Sequence, residues 1–235
     1  MSVNSAVFDC STPVSVLAGN NAWGAMTALY TSKMAWHGFK ILSQSQNTGY
    51  TCTIQMYAGT TPIGPLLVSD GAPDQSWEYY MPGDYPAGTS FSAEVWYNTT
   101  TTDYCNFTLI GLVDPEMEDV TNLVSLGVVP GSANISCPAT SWTSLGAMPP
   151  ALIKNIKISI QNDAGYTAGY TYNFGIGPSS ASITTVASYI PWSNAGNEYG
   201  WVHRVFKVNL SGIGNDLWIY NNSGQAFGAN AYLYF

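Results

Sequence analysis

The chain has 235 residues, a formal net charge of −8 and only six Lys and Arg residues. Nucleic acids and anionic membrane surfaces are bound through clusters of basic side chains, so this balance argues against both as partners. The chain contains 16 Tyr and eight Trp, and residues of this kind suit the half-buried surface of a β-sheet. The length allows one large domain or two domains of about 110 residues.

Short segments with alternating apolar and polar residues recur along the chain, separated by clusters of Gly, Pro, Asn and Ser. This pattern predicts the antiparallel strands of a sandwich or barrel. In the first half, strands are expected near residues 3–8, 12–18, 36–44, 50–58, 65–69, 76–81, 89–97 and 103–112. In the second half, they are expected near residues 122–128, 132–137, 152–160, 166–174, 182–190, 200–210, 215–220 and 228–235. Residues 22–30 fit a turn or two of helix, and no segment predicts a long helix.

The two halves of the sequence look like copies of one plan. The spacing from Gly49 to Gly165 equals the spacing from Gly59 to Gly175, and Phe39-Lys40-Ile41 is echoed by Ile156-Lys157-Ile158. Between the copies lies an acidic segment, residues 114–119, in which Pro115 prevents an uninterrupted strand. The sequence therefore predicts an all-β fold of two tandem antiparallel β-sandwich domains, jelly-roll-like in character. Their expected bounds are residues 1–113 and 120–235, joined by the acidic linker 114–119.

Residues able to perform catalysis are few and belong to no recognisable motif. His37 and His203 are the two histidines, and both are expected to be ordinary strand residues. Glu94, Glu78 and Asp84 offer the carboxylates that a glycosidase requires, but Glu94 falls on the polar side of its strand. The sequence therefore predicts a protein that is not an enzyme and that holds no cofactor.

The cysteines and the acidic turns do not predict a metal site either. Cys10, Cys52, Cys105 and Cys137 form no Cys-x-x-Cys pair, and the Asp and Asn pairs in loops are better explained by turn formation. Cys52 and Cys105 both lie on apolar strand faces, which is typical of small buried side chains. Whether these two cysteines form a disulfide is left open by the sequence.

Aromatic side chains next to turns are the candidates for contact with a partner. Rings with a polar tip favour interfaces, and they also stack on sugar rings. The alternative for each of them is packing in a core. The candidate residues for partner or glycan contact are Trp77, Tyr79, Trp192, Tyr199 and Trp201.

A chain of low charge, duplicated as two β-sandwiches and rich in Gly, Thr, Asn and Tyr, resembles the accessory proteins of tailed-bacteriophage virions. The resemblance is to the general character of jelly-roll capsid decoration (cement) proteins and of β-sandwich tail or fibre proteins. It implies a non-enzymatic structural protein that binds and stabilises assembled capsid subunits and self-associates, often as a trimer. Residues 1–12 would then form an arm. The alternative is a carbohydrate-binding or receptor-binding module of a tail or fibre.

The expected location follows from the same resemblance and from the start of the sequence. Residues 1–10 lack the basic and apolar regions of a signal peptide. The sequence therefore predicts a protein that is made in the host cytoplasm and resides in the virion.

Overall fold

A computed structural model describes residues 9–45, 51–69, 77–97, 103–113, 123–128, 134–161, 170–192 and 201–235. All the regular elements in these ranges are β-strands, which confirms the predicted all-β fold class. The predicted acidic linker, residues 114–119, lies outside the described residues. Within those ranges there is no helix that could span a lipid bilayer.

The first half of the chain forms two sheets that enclose one core. Its strands are β1 (Asp9–Cys10), β2 (Val14–Leu17), β3 (Gly19–Asn20), β4 (Thr27–Thr31), β5 (Trp36–Ser45), β6 (Cys52–Ala58), β7 (Thr61–Ser69), β8 (Trp77–Tyr85), β9 (Ser90–Tyr97) and β10 (Tyr104–Gly111). One sheet has the order β1-β10-β5-β8, and β2 also pairs with β10. The other sheet has the order β3-β9-β6-β7, and β4 also pairs with β9. We call this unit the first sandwich.

The second half forms another pair of sheets, which we call the second sandwich. Its strands are β11 (Leu123–Leu126), β12 (Ile135–Cys137), β13 (Trp142–Ala147), β14 (Leu152–Gln161), β15 (Tyr170–Gly177), β16 (Thr184–Trp192), β17 (Trp201–Ser211), β18 (Asp216–Asn221) and β19 (Phe227–Tyr234). The sheet orders are β11-β19-β14-β17, with β12 also paired to β19, and β13-β18-β15-β16.

Matching strands occupy matching places in the two sandwiches. The order β11-β19-β14-β17 repeats β1-β10-β5-β8, and the order β13-β18-β15-β16 repeats β4-β9-β6-β7. In each half, successive strands join the two sheets in the order that is typical of an eight-stranded jelly roll. All strand pairs are antiparallel except the short contact between β3 and β9.

The cores follow from the alternation in the strands. On β5, Phe39 and Ile41 point inward and are fully buried, whereas Lys40 between them points out of the sandwich. On β14, Ile156, Ile158 and Ile160 form the equivalent buried row. A strand with a period of two buries one face and leaves the other for solvent or for another layer.

Apart from the two-residue β3, the sequence analysis missed one strand in each half, namely β4 in the first and its counterpart β13 in the second. The helical turn expected for residues 22–30 is wrong, because β4 begins at Thr27 and pairs with β9. Each of the two strands carries a register shift, between Ala28 and Tyr30 in β4 and between Ser144 and Gly146 in β13. An extra residue interrupts the alternation on which recognition of a strand depends.

The described start of the chain is fixed to the first sandwich rather than free as an arm. Asp9 is 4% exposed, and its carboxylate accepts hydrogen bonds from the Lys33 amide at 2.8 Å, the Met34 amide at 3.0 Å and Trp36 Nε1 at 2.8 Å. The Tyr30 hydroxyl also donates to it. Burial alone would raise the pKa of Asp9, but these hydrogen bonds outweigh it and lower the pKa. The arm predicted for residues 1–12 therefore does not include the chain from Asp9 onward.

The two sandwiches touch along the side of the first sandwich that is formed by its edge strands β7 and β8. Val68 on β7 and Tyr79 on β8 lie on the two edge strands there. Leu123 and Tyr232 of the second sandwich join the core of the first at this edge. The ring centroids of Tyr79 and Tyr232 are 5.3 Å apart, and the Tyr79 hydroxyl donates to the Val68 carbonyl.

Lys157 of the second sandwich is buried in the same contact. Its Nζ lies 5.1 Å from the ring centroid of Tyr79 and 5.8 Å from that of Tyr232. Burial lowers the pKa of Lys157 to about 8, and the nearby Glu78 carboxylate opposes this shift. The amine is thus held beside two neighbouring aromatic rings at the junction.

Candidate functional site

The three tryptophans predicted to contact a partner lie on strands of three different sheets. The backbone of Trp77 pairs with β5, that of Trp192 with β15 and that of Trp201 with β14, so the three belong to different sheets. The side chains of these three residues, and Tyr199 as a whole, lie outside the described part of the chain. Tyr79 corrects the prediction, because its side chain is fully buried at the junction and offers no surface to a partner.

The titratable residues considered for catalysis are also dispersed. His37 Nδ1 lies 2.9 Å from Asp84 Oδ1 on the exposed surface of the first sandwich. Glu94 accepts a hydrogen bond of 2.8 Å from the Tyr57 hydroxyl, and His203 lies on β17 of the second sandwich. Among the described residues, no group of three or more His, Cys, Asp or Glu side chains is placed to hold a metal ion.

The outer side of the sheet β13-β18-β15-β16 carries the clearest cluster of aromatic and polar side chains. On β18, Leu217 and Ile219 are fully buried in the core, so Trp218 and Tyr220 alternate with them on the outer side, where both are half-buried. We call this surface the aromatic face. It consists of Trp142, Ser144, Asn173, Asp216, Trp218, Tyr220 and Asn222.

Three side chains of the aromatic face form a row across three strands. Trp142 is paired with Tyr220, and Tyr220 is paired with Asn173. The Trp142 and Tyr220 rings are 5.3 Å apart in an edge-to-face arrangement. Because neighbouring strands lie about 4.8 Å apart, the row spans roughly 10 Å between its outer backbones.

The polar groups of the row are positioned by neighbouring residues. Asn173 Oδ1 accepts hydrogen bonds from Asn222 Nδ2 at 3.0 Å and from the Tyr189 amide at 2.7 Å. Tyr189 sits in the bulged part of β16 with a φ of 51°, a strained value for a residue other than glycine. The Asn173 side chain is therefore held in one orientation, with its Nδ2 group left over as a donor.

Several hydrogen-bonding groups on the aromatic face have no partner within the described ranges. They are Trp142 Nε1, Asn173 Nδ2, the Tyr220 hydroxyl and Asn222 Oδ1. Below the row, Trp218 Nε1 donates to the Gly177 carbonyl at 2.8 Å, which fixes the indole ring. Ser144 Oγ donates to Asp216 Oδ2 at 2.8 Å, so the carboxylate of the face is already hydrogen-bonded. The face thus combines fixed rings with two N–H donors, an amide oxygen and a hydroxyl that have no partner in the described part of the chain.

The described residues of the first sandwich form no equivalent face. Trp96 occupies the place of Tyr220, but it is only 6% exposed and its backbone bridges to Trp23. Glu94 occupies the place of Trp218 and is bound to Tyr57. The aromatic face is thus a property of the second copy.

Sequence reasoning missed the aromatic face because it searched for rings beside turns. The signal was present in residues 216–222, where Asp216, Trp218, Tyr220 and Asn222 alternate with apolar or buried residues. Polar and aromatic residues at every second position of a strand mark a face that packs against something other than the core.

No known protein family and no curated protein sequence matches the chain. Among solved structures, a xanthan lyase of Paenibacillus is 11% identical with a TM-score of 0.28, covering 95% of this chain and 25% of that one. The insecticidal delta-endotoxin Cry8Ea1 of Bacillus thuringiensis is 12% identical with a TM-score of 0.29, covering 97% and 52%. The CBM22-1-CBM22-2 tandem domain of Paenibacillus barcinonensis Xyn10C is 10% identical with a TM-score of 0.27, covering 94% and 87%.

The chain thus spans a quarter of the lyase chain and about half of the endotoxin chain. At TM-scores this low, these likenesses carry no argument about what the present chain binds or does.

Proposed function

We propose that the protein is a non-enzymatic glycan-binding protein that holds a neutral oligosaccharide on the aromatic face. The observation that carries this proposal is the row of Trp142, Tyr220 and Asn173, with Trp218 beside it. The negative face of an aromatic ring attracts the C–H groups of a sugar ring, while amide and hydroxyl groups bond its hydroxyls. Both kinds of group occur together here.

The charge of the molecule favours a neutral glycan over an acidic one. The chain has a net charge of −8, and the aromatic face itself contains the Asp216 carboxylate. An anionic polysaccharide would be repelled by both. The basic residues Arg204 and Lys207 lie on β17, which belongs to the other sheet of the second sandwich.

The binding experiment compares Trp218→Ala and Tyr220→Ala with the wild type by affinity electrophoresis in gels containing neutral glucans, mannans, xylans or galactans. Each variant should bind its glycan roughly 30-fold more weakly, as expected for a ring that anchors a ligand. Binding should be nearly independent of salt. Tyr104→Ala is the matched control, because Tyr104 is 41% exposed but lies on β10 of the first sandwich.

Absence of binding to the whole panel, or binding that both aromatic-face variants retain, would refute the proposal. Hydrolysis of a glycan that is abolished by Glu94→Gln or Glu78→Gln would contradict the non-enzymatic part of it.

A second candidate is a structural protein of a virion, a capsid decoration protein that binds assembled capsid subunits and itself. It is favoured by the tandem jelly rolls and by the buried contact between them, since this architecture occurs in viral capsid proteins as well as in lectins. A protein that binds only the assembled shell stabilises that shell by mass action. Stoichiometric co-sedimentation with particles and greater heat tolerance of the particles would support this role. Protein that stays in the supernatant while the particles sediment would refute it.

The two candidates are compatible in one setting, a glycan-binding or receptor-binding protein on the outside of a virion. Immunolabelling of purified particles tests this location directly. Labelling at the capsid surface favours decoration, and labelling at a tail or fibre favours receptor binding.

A further inference from the structure

Two cysteine side chains from opposite sheets meet inside the first sandwich. Cys52 lies on β6 and Cys105 on β10, and both side chains are fully buried thiols. Both side chains belong to the one buried core cluster of the first sandwich. Cys10 is exposed and Cys137 lies in the second sandwich, so neither of them is part of this buried pair.

The strand pairing and a shared polar neighbour, Asp103, place the two cysteines in the same part of the core. Cys105 is directly paired with Ser45 across β10 and β5. Ser45 Oγ donates to Asp103 Oδ2 at 2.6 Å, and Cys52 Sγ lies 4.0 Å from the same carboxylate oxygen. Asp103 precedes Cys105 by two residues and is 1% exposed. The Cys52 thiol is therefore held close to the strand that carries Cys105.

We propose that Cys52 and Cys105 are an oxidation site that closes into a disulfide between the two sheets when the chain meets a low-molecular-weight disulfide such as oxidised glutathione. A disulfide needs two β-carbons that approach closely from facing strands, and a bridge between the sheets of a sandwich has this geometry. This inference is independent of the proposed glycan binding.

The reaction is a pair of thiol–disulfide exchanges. One cysteine loses its proton and attacks a sulfur of oxidised glutathione, which forms a mixed disulfide and releases one glutathione thiolate. The other cysteine loses its proton, attacks the protein sulfur of the mixed disulfide and releases the second glutathione thiolate. The two protons neutralise the two thiolates, the protein loses two electrons, and the oxidant is reduced to two glutathione molecules.

The surroundings of the pair determine when this reaction occurs. The hydrogen bond from Cys105, burial and the nearby Asp103 charge all raise the pKa of Cys52, so the folded chain keeps the unreactive thiol form. Exchange should be slow in the folded protein and fast while the chain folds. A chain folded under reducing conditions retains the dithiol, and one folded in an oxidising medium becomes cross-linked.

The experiment refolds the full-length protein from guanidinium chloride in a buffer of oxidised and reduced glutathione. Free thiols are counted with Ellman's reagent, and cysteine peptides are mapped by mass spectrometry without reduction. The expected product is a monomer with two free thiols, at Cys10 and Cys137, and a peptide that joins Cys52 to Cys105. Its melting temperature should exceed that of the reduced protein by roughly 10 °C, a gain that dithiothreitol removes.

Two variants make the result decisive. Cys10→Ser with Cys137→Ala leaves only the proposed pair and should still give an oxidised monomer with no free thiol. Cys52→Ala with Cys105→Ala should show no reductant-sensitive gain in melting temperature. Four free thiols in the refolded wild type, or glutathione adducts without the Cys52–Cys105 peptide, would overturn the proposal.

Discussion

Replacing Lys157 by methionine should change how the stability of the protein depends on pH. The Lys157 amine is buried beside the rings of Tyr79 and Tyr232, and its pKa is about 8 in the folded chain against an ordinary value of 10.5. Below pH 8 the amine is protonated in both states. Between pH 8 and pH 10.5 the unfolded chain binds more protons than the folded chain, so this group makes stability rise with pH.

The size of the effect follows from the difference between the two pKa values. That difference corresponds to about 3 kcal/mol of unfolding free energy, gained by the wild type as the pH rises through the window. Methionine has similar length and no charge, so Lys157→Met should lack this gain. The free-energy difference between variant and wild type should therefore change by about 3 kcal/mol in favour of the wild type from pH 7 to pH 10.5.

The measurement is guanidinium chloride unfolding at several pH values, followed by tryptophan fluorescence. Tyrosines that ionise near pH 10 affect wild type and variant equally and cancel in the difference. Lys207→Met serves as the matched control, since it removes an exposed lysine of the same sheet and should run parallel to the wild type. A difference between Lys157→Met and wild type that stays constant from pH 7 to pH 10.5 would show that the amine is not buried at the junction.

Three other substitutions test the packing. Asp9→Asn should cost about 2 kcal/mol at neutral pH, because the buried carboxylate accepts four hydrogen bonds, and denaturant midpoints should show the loss. Since the pKa of Asp9 is lowered in the folded chain, the deficit should shrink as the pH falls below 3.8, and a constant deficit would contradict this role. Gly111→Ala should cost about 3 kcal/mol by calorimetry, because a Cβ there would lie 2.0 Å from Cε2 of Trp36; an unchanged melting temperature would rule out this packing. Tyr189→Gly should raise the free energy of unfolding by about 1 kcal/mol by relieving a φ of 51°, whereas destabilisation would mean that the ring makes contacts worth more than the strain.

The fold class could be predicted because alternation and turns are local properties of the sequence. Ile156, Ile158 and Ile160 lie on one buried face as their spacing indicates, and Cys52 and Cys105 are buried as their apolar neighbours suggest. β4 and β13 were not predictable because a bulge falls within each of these short strands, whereas β5 and β14 have ten residues each and keep a long alternating stretch on one side of their register shifts.

The exposure of individual aromatic rings was harder to predict, because it depends on which faces and edges of the sheets are covered by distant parts of the chain. Tyr79 resembles an exposed ring in sequence, but Tyr232, more than 100 residues away, covers it. Alternation along β18 places Trp218 and Tyr220 together on one face, but only the burial of Leu217 and Ile219 and the pairing of β18 with β13 and β15 show that this face is the outer one.

The junction between the sandwiches depends on a residue that differs between the two units. In the first sandwich Ile41 is paired with Tyr79, whereas the matching Ile158 of the second sandwich is paired with Arg204. A third unit that docked in the same manner would have to bury this guanidinium against an apolar sheet, at a cost of several kcal/mol. We therefore expect Arg204 to oppose docking of another unit or another copy of the chain at this edge, and gel filtration should show more association for an Arg204→Tyr variant than for the wild type.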